Sequence, residues 1–190
     1  MNNLNLNLKS LKARYPELFP LNSSKEDFIK YLTYYKNIED KRLIVTSNNI
    51  QYNPHMIAYL FKYLSKVDKY PTVTLLNAHE VSEIYITGSQ DGTMLRLSDI
   101  QSDILFLTAG YNEPSNKSLK DCIGYLMNSY ILKDKVLFIY LKGSSPLVRD
   151  IESLGKNLQL PFYNVNNITN PKKATKPSDK PSNSSQMSLF

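Results

Sequence analysis

Three carboxylates, Asp99, Asp103 and Glu113, flank one strongly apolar run at residues 104–107. A cluster of that kind could hold magnesium for nucleic-acid cleavage. Asp103 stands at the entrance of the run and Glu113 beyond its exit, so about four residues at roughly 3.3 Å each keep them apart and favour capping or solvated roles. His79 sits beside Glu80, but no nucleophile lies at a useful spacing, and Cys122 falls on an apolar helical repeat that reads as core. The glycine-bracketed stretch 88–92 could bind an anion through backbone amides, and a turn between two strands accounts for it as economically. The chain carries 14 tyrosines, which raises base stacking on Tyr34, Tyr35, Tyr52, Tyr59 or Tyr63. Tyr59 and Tyr63 are one helical turn apart with Lys62 and Lys66 beside them, a pattern that suits a single-strand-binding face and equally the margin of a packed helix. No catalytic residue, metal ligand or cofactor is assigned on these residues.

The other chemistry-bearing feature is at the far end. Residues 168–185 are dominated by Asn, Pro, Lys, Ser and Thr, a composition that cannot bury enough apolar surface to offset chain entropy and is expected to be disordered. Gln186, Met187, Ser188, Leu189 and Phe190 then turn abruptly apolar. An apolar pentapeptide on a polar tether is suited to a pocket on another protein.

The elements that must position these residues follow from periodicity. Pro16 and Pro20 interrupt residues 1–25, which are expected to form an irregular N-terminal arm packed on the body. Ser24 and Asp27 suggest a weak cap ahead of Phe28, Ile29, Leu32 and Tyr35 at helical spacing. Residues 43–45 form a short buried-strand run. Asn53 as cap and Pro54 at the first helical position predict a helix through Val67. Strands are expected at 73–76, 83–86, 104–107, 136–141 and 161–165. Helices are expected over Leu119, Cys122, Ile123, Leu126, Met127, Tyr130 and Ile131, and from Pro146 to a glycine stop at Gly155. Strands and helices alternating in this way predict an α/β core over residues 26–166, a three-layer, mainly parallel sheet with helices on both faces.

Composition narrows the function classes. With 190 residues, 42% hydrophobic and 21% charged, the chain matches one globular domain with appendages. Its apolar runs fall far short of the roughly 18 residues that a bilayer crossing needs, and no secretory signal is visible, so a cytoplasmic location is expected. One cysteine cannot make an internal disulfide and fits a reducing compartment. The net charge of +6 is concentrated in the tail, where Lys172, Lys173, Lys176 and Lys180 face only Asp179. Arginine, the residue that reads guanine edges, is confined to Arg14, Arg42, Arg96 and Arg149. Weak phosphate attraction through Lys172 and Lys173 fits this balance; base reading does not.

The Gln186-Met-Ser-Leu-Phe190 peptide resembles the bacterial sliding-clamp-binding motif, usually Gln-Leu-(Ser or Asp)-Leu-Phe. The resemblance implies that Gln186 hydrogen-bonds in a small polar pocket while Leu189 and Phe190 fill a hydrophobic cleft on the ring, with Met187 replacing a Leu of similar volume. The tether of about 20 residues would have a typical span of about 25 Å. The body, over residues 26–166, is similar to the nucleotide-binding core of AAA+ replication proteins, in particular their initiator and helicase-loader branch. In that family the strand at 104–107 would carry metal-coordinating carboxylates and the strand at 136–141 the sensor. A phosphate loop needs glycines, a Lys, and a Ser or Thr for magnesium. Residues 47–54 have no Gly and no Lys, with Asn53 and Pro54 where the Lys and Ser/Thr belong. Thr108 and Ala109 stand where Asp is required.

These features together predict a non-catalytic, pseudo-ATPase accessory or regulatory protein of bacterial DNA replication or repair, held to the DNA polymerase sliding clamp by residues 186–190. A further replisome protein or an initiator would be the body's partner, with weak non-specific DNA contact and no membrane. The alternative is a clamp-recruited, magnesium-dependent nucleic-acid-processing enzyme using Asp99, Asp103 or Glu113.

Overall fold

The computed structural model describes residues 7–19, 25–49, 51–91, 97–110, 113–166 and 168, and for 25–27 and 86–91 the backbone alone. The order is α1 (Leu8–Arg14), a 3₁₀ turn (Pro16–Leu18), α2 (Lys25–Tyr35), β1 (Arg42–Ser47), α3 (Asn53–Leu64), β2 (Val73–Asn77) and α4 (Ala78–Asp91). It continues with a 3₁₀ turn (Leu97–Asp99), β3 (Ile104–Ala109), α5 (Lys117–Leu132), β4 (Val136–Lys142), α6 (Pro146–Asn157) and β5 (Phe162–Asn164). Among the described residues the strands form one sheet in the order β2-β3-β4-β1-β5, every pair parallel. This is the three-layer α/β architecture that the alternation of elements predicts.

Parallel strands covered on both faces must be apolar throughout, and β3 is buried at every position. Alternate side chains feed two cores. Leu105, Leu107, Leu137, Ile139 and Leu141 pack under α4, α5 and α6. Leu43, Val45, Phe106, Phe138 and Tyr140 pack under α1, α2 and α3. Side-chain caps relieve the first unpaired amides of α5 and α6: Asn116 Oδ1 accepts from Leu119 N, and Ser145 Oγ from Val148 N.

Several expectations are corrected. The N-terminal arm is not irregular over residues 8–18: Asn7 caps α1 through Ser10 N at 2.7 Å, and Leu11, Tyr15 and Leu18 are buried in the second core. Pro16 opens the 3₁₀ turn, where its missing N–H would have had no partner. Residues 83–86 are not a strand but the middle of α4, and the stretch 88–91 continues that helix instead of turning; Gly92 lies outside the described residues. A reciprocal cap starts this helix: Glu80 N donates to Asn77 Oδ1 at 2.9 Å and Asn77 N to Glu80 Oε2 at 2.7 Å. The helix expected to reach Val67 ends at Leu64, and Asn53 does not cap it; Asn53 lies in its first turn, and its amide group donates to Leu18 O.

Gly155 does not stop α6 either. It lies inside the helix at the point where α6 approaches the sheet, and a Cβ there would stand 2.2 Å from Ile44 Cδ1 and 3.0 Å from Phe162 Cζ. Gly155→Ala is therefore expected to destabilise the fold by about 1–3 kcal/mol, the usual range for overpacking, although alanine is the better helix former. Urea unfolding of the two proteins measures the difference; an unchanged or raised midpoint contradicts the close approach.

Candidate functional site

In an open parallel sheet, ligands settle beyond the carboxyl ends of the strands where connections leave in opposite directions. Here that switch lies between β1, whose chain crosses over to β2 at one edge, and β4, whose chain crosses to β5 at the other. The loop from β1 into α3 spans this point, and the amides of Asn48, Asn49 and Gln51 are engaged within the protein. Asn48 N donates to Asn166 Oδ1 at 2.6 Å, Asn49 N to Ser47 Oγ at 3.0 Å, and Gln51 N to Asn49 Oδ1 at 3.2 Å. His55 N and Met56 N turn back to Tyr52 O, both at 3.1 Å, and Pro54 has no N–H. A phosphate loop aims such amides at an anion; here they close on loop side chains, on Asn166 beyond β5 and on the Tyr52 carbonyl. Across the sheet end, Thr108 and Ala109 of β3 occupy the carboxyl end at 8% and 3% exposure and bring no carboxylate.

Beneath the loop is a feature not singled out in the sequence. His55, in the first turn of α3, is fully buried, its ring stacked on Tyr31 at 3.7 Å between centroids and 5.2 Å from Tyr140. Its Nδ1 lies 2.9 Å from the Tyr35 hydroxyl, and its Nε2 is buried with no hydrogen-bond partner among the described residues. Burial, and secondarily the charge of Lys30, push its pKa down to about 3, so the ring is neutral. Tyr140 OH donates to Asn49 O at 3.1 Å, tying this aromatic layer to the loop.

The other residues raised by the sequence are dispersed. Asp103, at the amino end of β3, accepts from Thr72 N and Thr72 Oγ1 at 2.8 and 2.9 Å, bonds that hold its carboxyl below the usual range. Glu113 lies past the opposite end and accepts from Gly110 N. The six residues of β3, at about 3.3 Å each, put about 20 Å between these ends. Asp99 is exposed next to Ser98. Among the described residues no three His, Cys, Asp or Glu side chains gather as a metal site. His79 pairs with Glu83 at 3.2 Å on the surface of α4, and Cys122 is buried in α5, where desolvation and then Asp121 raise its thiol pKa.

The stacking face on α3 requires correction as well. Tyr59 is 1% exposed and its hydroxyl donates to Asp40 O, while Tyr35 is fully buried. Lys62 is also buried: its ammonium donates to Ile38 O just past α2, and desolvation lowers its pKa. Tyr63 is half-buried and Lys66 exposed, 3.8 Å from Glu39, so Tyr59 and Lys62 serve packing and the proposed four-residue surface is not assembled. Lys172, Lys173 and residues 186–190 lie outside the described residues. No helix among the described residues is long and apolar enough to cross a membrane.

No family model matches the chain, and no curated protein matches it. Solved structures do. A DNA replication initiation factor superposes with a TM-score of 0.50 at 11% identity, over 78% of this chain and 49% of that one. Replication initiator DnaA bound to AMPPCP and single-stranded DNA gives 0.48 at 11% identity, over 78% and 48%. Saccharomyces cerevisiae RIF2 gives 0.38 at 13% identity, over 85% and 64%. The chain spans about half the length of the two initiator structures. The likeness is one of fold: five parallel strands with helices on both faces, in an arrangement that resembles part of a DNA replication initiation factor.

Proposed function

We propose that this chain is a non-catalytic accessory or regulatory protein of bacterial DNA replication, held at the DNA polymerase sliding clamp by Gln186, Met187, Ser188, Leu189 and Phe190. The observation that carries the reading is the Gln-Met-Ser-Leu-Phe peptide at the end of a polar, lysine-bearing stretch. Such a tether raises the body's local concentration at the ring without new contacts to it. Lys172 and Lys173 add a salt-dependent attraction to nearby DNA phosphates. The initiator-like fold supports a place in replication for the body and leaves its partner to be found by experiment. Capture from a bacterial lysate with the full chain, and with residues 186–190 removed, tests the assignment: the clamp is expected among proteins retained by the first and absent from the second.

In this reading the body is a pseudo-ATPase. Residues 47–54 lack the glycines and lysine of a phosphate loop, and the amides of Asn48, Asn49 and Gln51 are engaged with side chains of the body. Calorimetric titration with magnesium-ATP is expected to give no saturable heat below millimolar concentration. Sub-millimolar binding sinks the pseudo-ATPase assignment. Because Asp103 and Glu113 lie at opposite ends of β3, the nuclease alternative receives no support from their placement.

A further inference from the structure

We propose that the open edge of β2 is a strand-addition site for an extended segment of a partner protein in which lysine or arginine alternates with aliphatic residues. Among the described residues β2 is the end strand of the sheet and pairs with β3 alone. Ile104 N donates to Thr72 O, which sets the ladder: Thr72, Thr74 and Leu76 turn their backbone groups toward β3, and Val73 and Leu75 turn theirs outward. Exposed strand edges are commonly protected by a charge, a proline or a bulge, and the sequence Val-Thr-Leu-Leu-Asn of β2 has no charge and no proline.

Two clefts flank this edge, one on each face of the sheet, and both reach Val73 and Thr74. The cleft on the α4 side, of about 430 Å³, has Leu76, Ile84 and Ile100 among its lining. The cleft on the α3 side, of about 420 Å³, is lined by Glu17, Tyr52, Leu75, Asn77, Glu80 and Thr108. Side chains of an added strand alternate between faces, so successive residues enter the two clefts in turn. One series meets mainly apolar surface, with Asp99, Gln101 and Ser102 also in the lining. The other meets the carboxylates of Glu17 and Glu80, neither of which forms an ion pair among the described residues.

Charge complementarity selects the occupant. A concentration of carboxylates on a chain of net charge +6 attracts a basic segment and repels nucleic-acid phosphate. A second copy of the chain, pairing β2 with β2, would bring no cation to Glu17 and Glu80, because β2 contains none. Occupancy of this edge does not depend on the clamp binding proposed for residues 186–190.

Amide hydrogen exchange and NMR shift mapping on the full chain test the proposal with two synthetic heptapeptides, Thr-Lys-Val-Lys-Val-Lys-Thr and its Glu-for-Lys counterpart. The lysine peptide is expected to slow exchange at Val73 and Leu75 by at least tenfold when saturating, and the glutamate peptide to bind at least tenfold more weakly. Glu17 is exposed in the 3₁₀ turn, so Glu17→Lys is expected to fold and to weaken the lysine peptide about tenfold, the scale of about one charge-pair interaction, with Glu17→Gln intermediate. Four results overturn the assignment: no slowing at millimolar lysine peptide, equal binding of the two peptides, protection at β5 instead of β2, or concentration-dependent protection without peptide that marks self-pairing.

Discussion

Replacing Leu189 and Phe190 together by alanine is expected to weaken binding to an immobilised bacterial sliding clamp by at least about a hundredfold. Burying a Leu and a Phe side chain contributes roughly 1.5–3 kcal/mol each, and about 3–6 kcal/mol together corresponds to a factor of about 10² to 10⁴. Gln186 adds a hydrogen bond with a net contribution nearer 1 kcal/mol, so Gln186→Ala is expected to fall well short of the double variant. Loss of translational freedom and ordering of the peptide offset much of the gross burial, which places a single peptide–pocket contact at around micromolar affinity. Surface plasmon resonance of the full chain and its variants reads these differences. Equal binding by wild type and double variant, or no binding by wild type at tens of micromolar, removes the central functional claim.

The second large effect is on acid stability and comes from His55. Its pKa is about 3 in the folded protein against 6.5 for an unperturbed histidine, because burial disfavours the imidazolium. The unfolded chain therefore takes up a proton as pH falls through 6.5 while the folded protein does not, and stability declines as pH falls from there toward 3. The slope is about 1.4 kcal/mol per pH unit, and the loss over the whole window is on the order of 4–5 kcal/mol, a large share of a small domain's stability. Above pH 7 His55 is neutral in both states and contributes no slope. His55→Gln keeps a polar partner for the Tyr35 hydroxyl but cannot titrate. Its unfolding free energy, followed by urea titration between pH 7 and 4, is expected to decline less steeply than that of the wild type. Parallel slopes place the ring in a more hydrated setting than its contacts with Tyr31, Tyr35 and Tyr140 describe.

The centre of the sheet was legible because β1, β3 and β4 are largely buried on both faces and therefore read as apolar runs, as at Ile104, Leu105, Phe106 and Leu107. α5 was legible for the complementary reason, a clean three-and-four repeat through Leu119, Cys122, Ile123, Leu126 and Met127. Glu83, Ile84, Tyr85 and Ile86 misled because a short run of β-branched and aromatic types reads as a strand. The deciding signal lay upstream in Asn77 and Glu80, whose spacing is that of a reciprocal cap. At the candidate site the absence of Gly and Lys from residues 47–54 was plain in the sequence. The bonds that occupy the loop's amides were not, since Asn166 reaches Asn48 only after β5 has docked beside β1. Burial of Tyr59 and Lys62 was likewise invisible, because it depends on where α2 lies against α3: Asp40 and Ile38, just beyond α2, supply the carbonyls that satisfy their polar ends.

The sheet order carries a consequence for synthesis of the chain. β1 is made early, yet both of its neighbours, β4 and β5, are made late: Leu43 aligns with Phe138 and Ile44 with Phe162. At about 5–20 residues per second, the roughly hundred residues between β1 and β4 leave the ribosome over about 5–20 seconds. Throughout that interval Leu43, Ile44 and Val45 have no strand to pair with, and β2 and β3, which emerge next, are separated from β1 by the vacant place of β4. Assembly from the N-terminus cannot proceed strand by strand, and closure of the sheet waits for its last third. Parallel, non-local pairing of this kind is slow and exposes apolar segments to association, so the nascent chain depends on chaperone cover more than a hairpin-built fold of equal size.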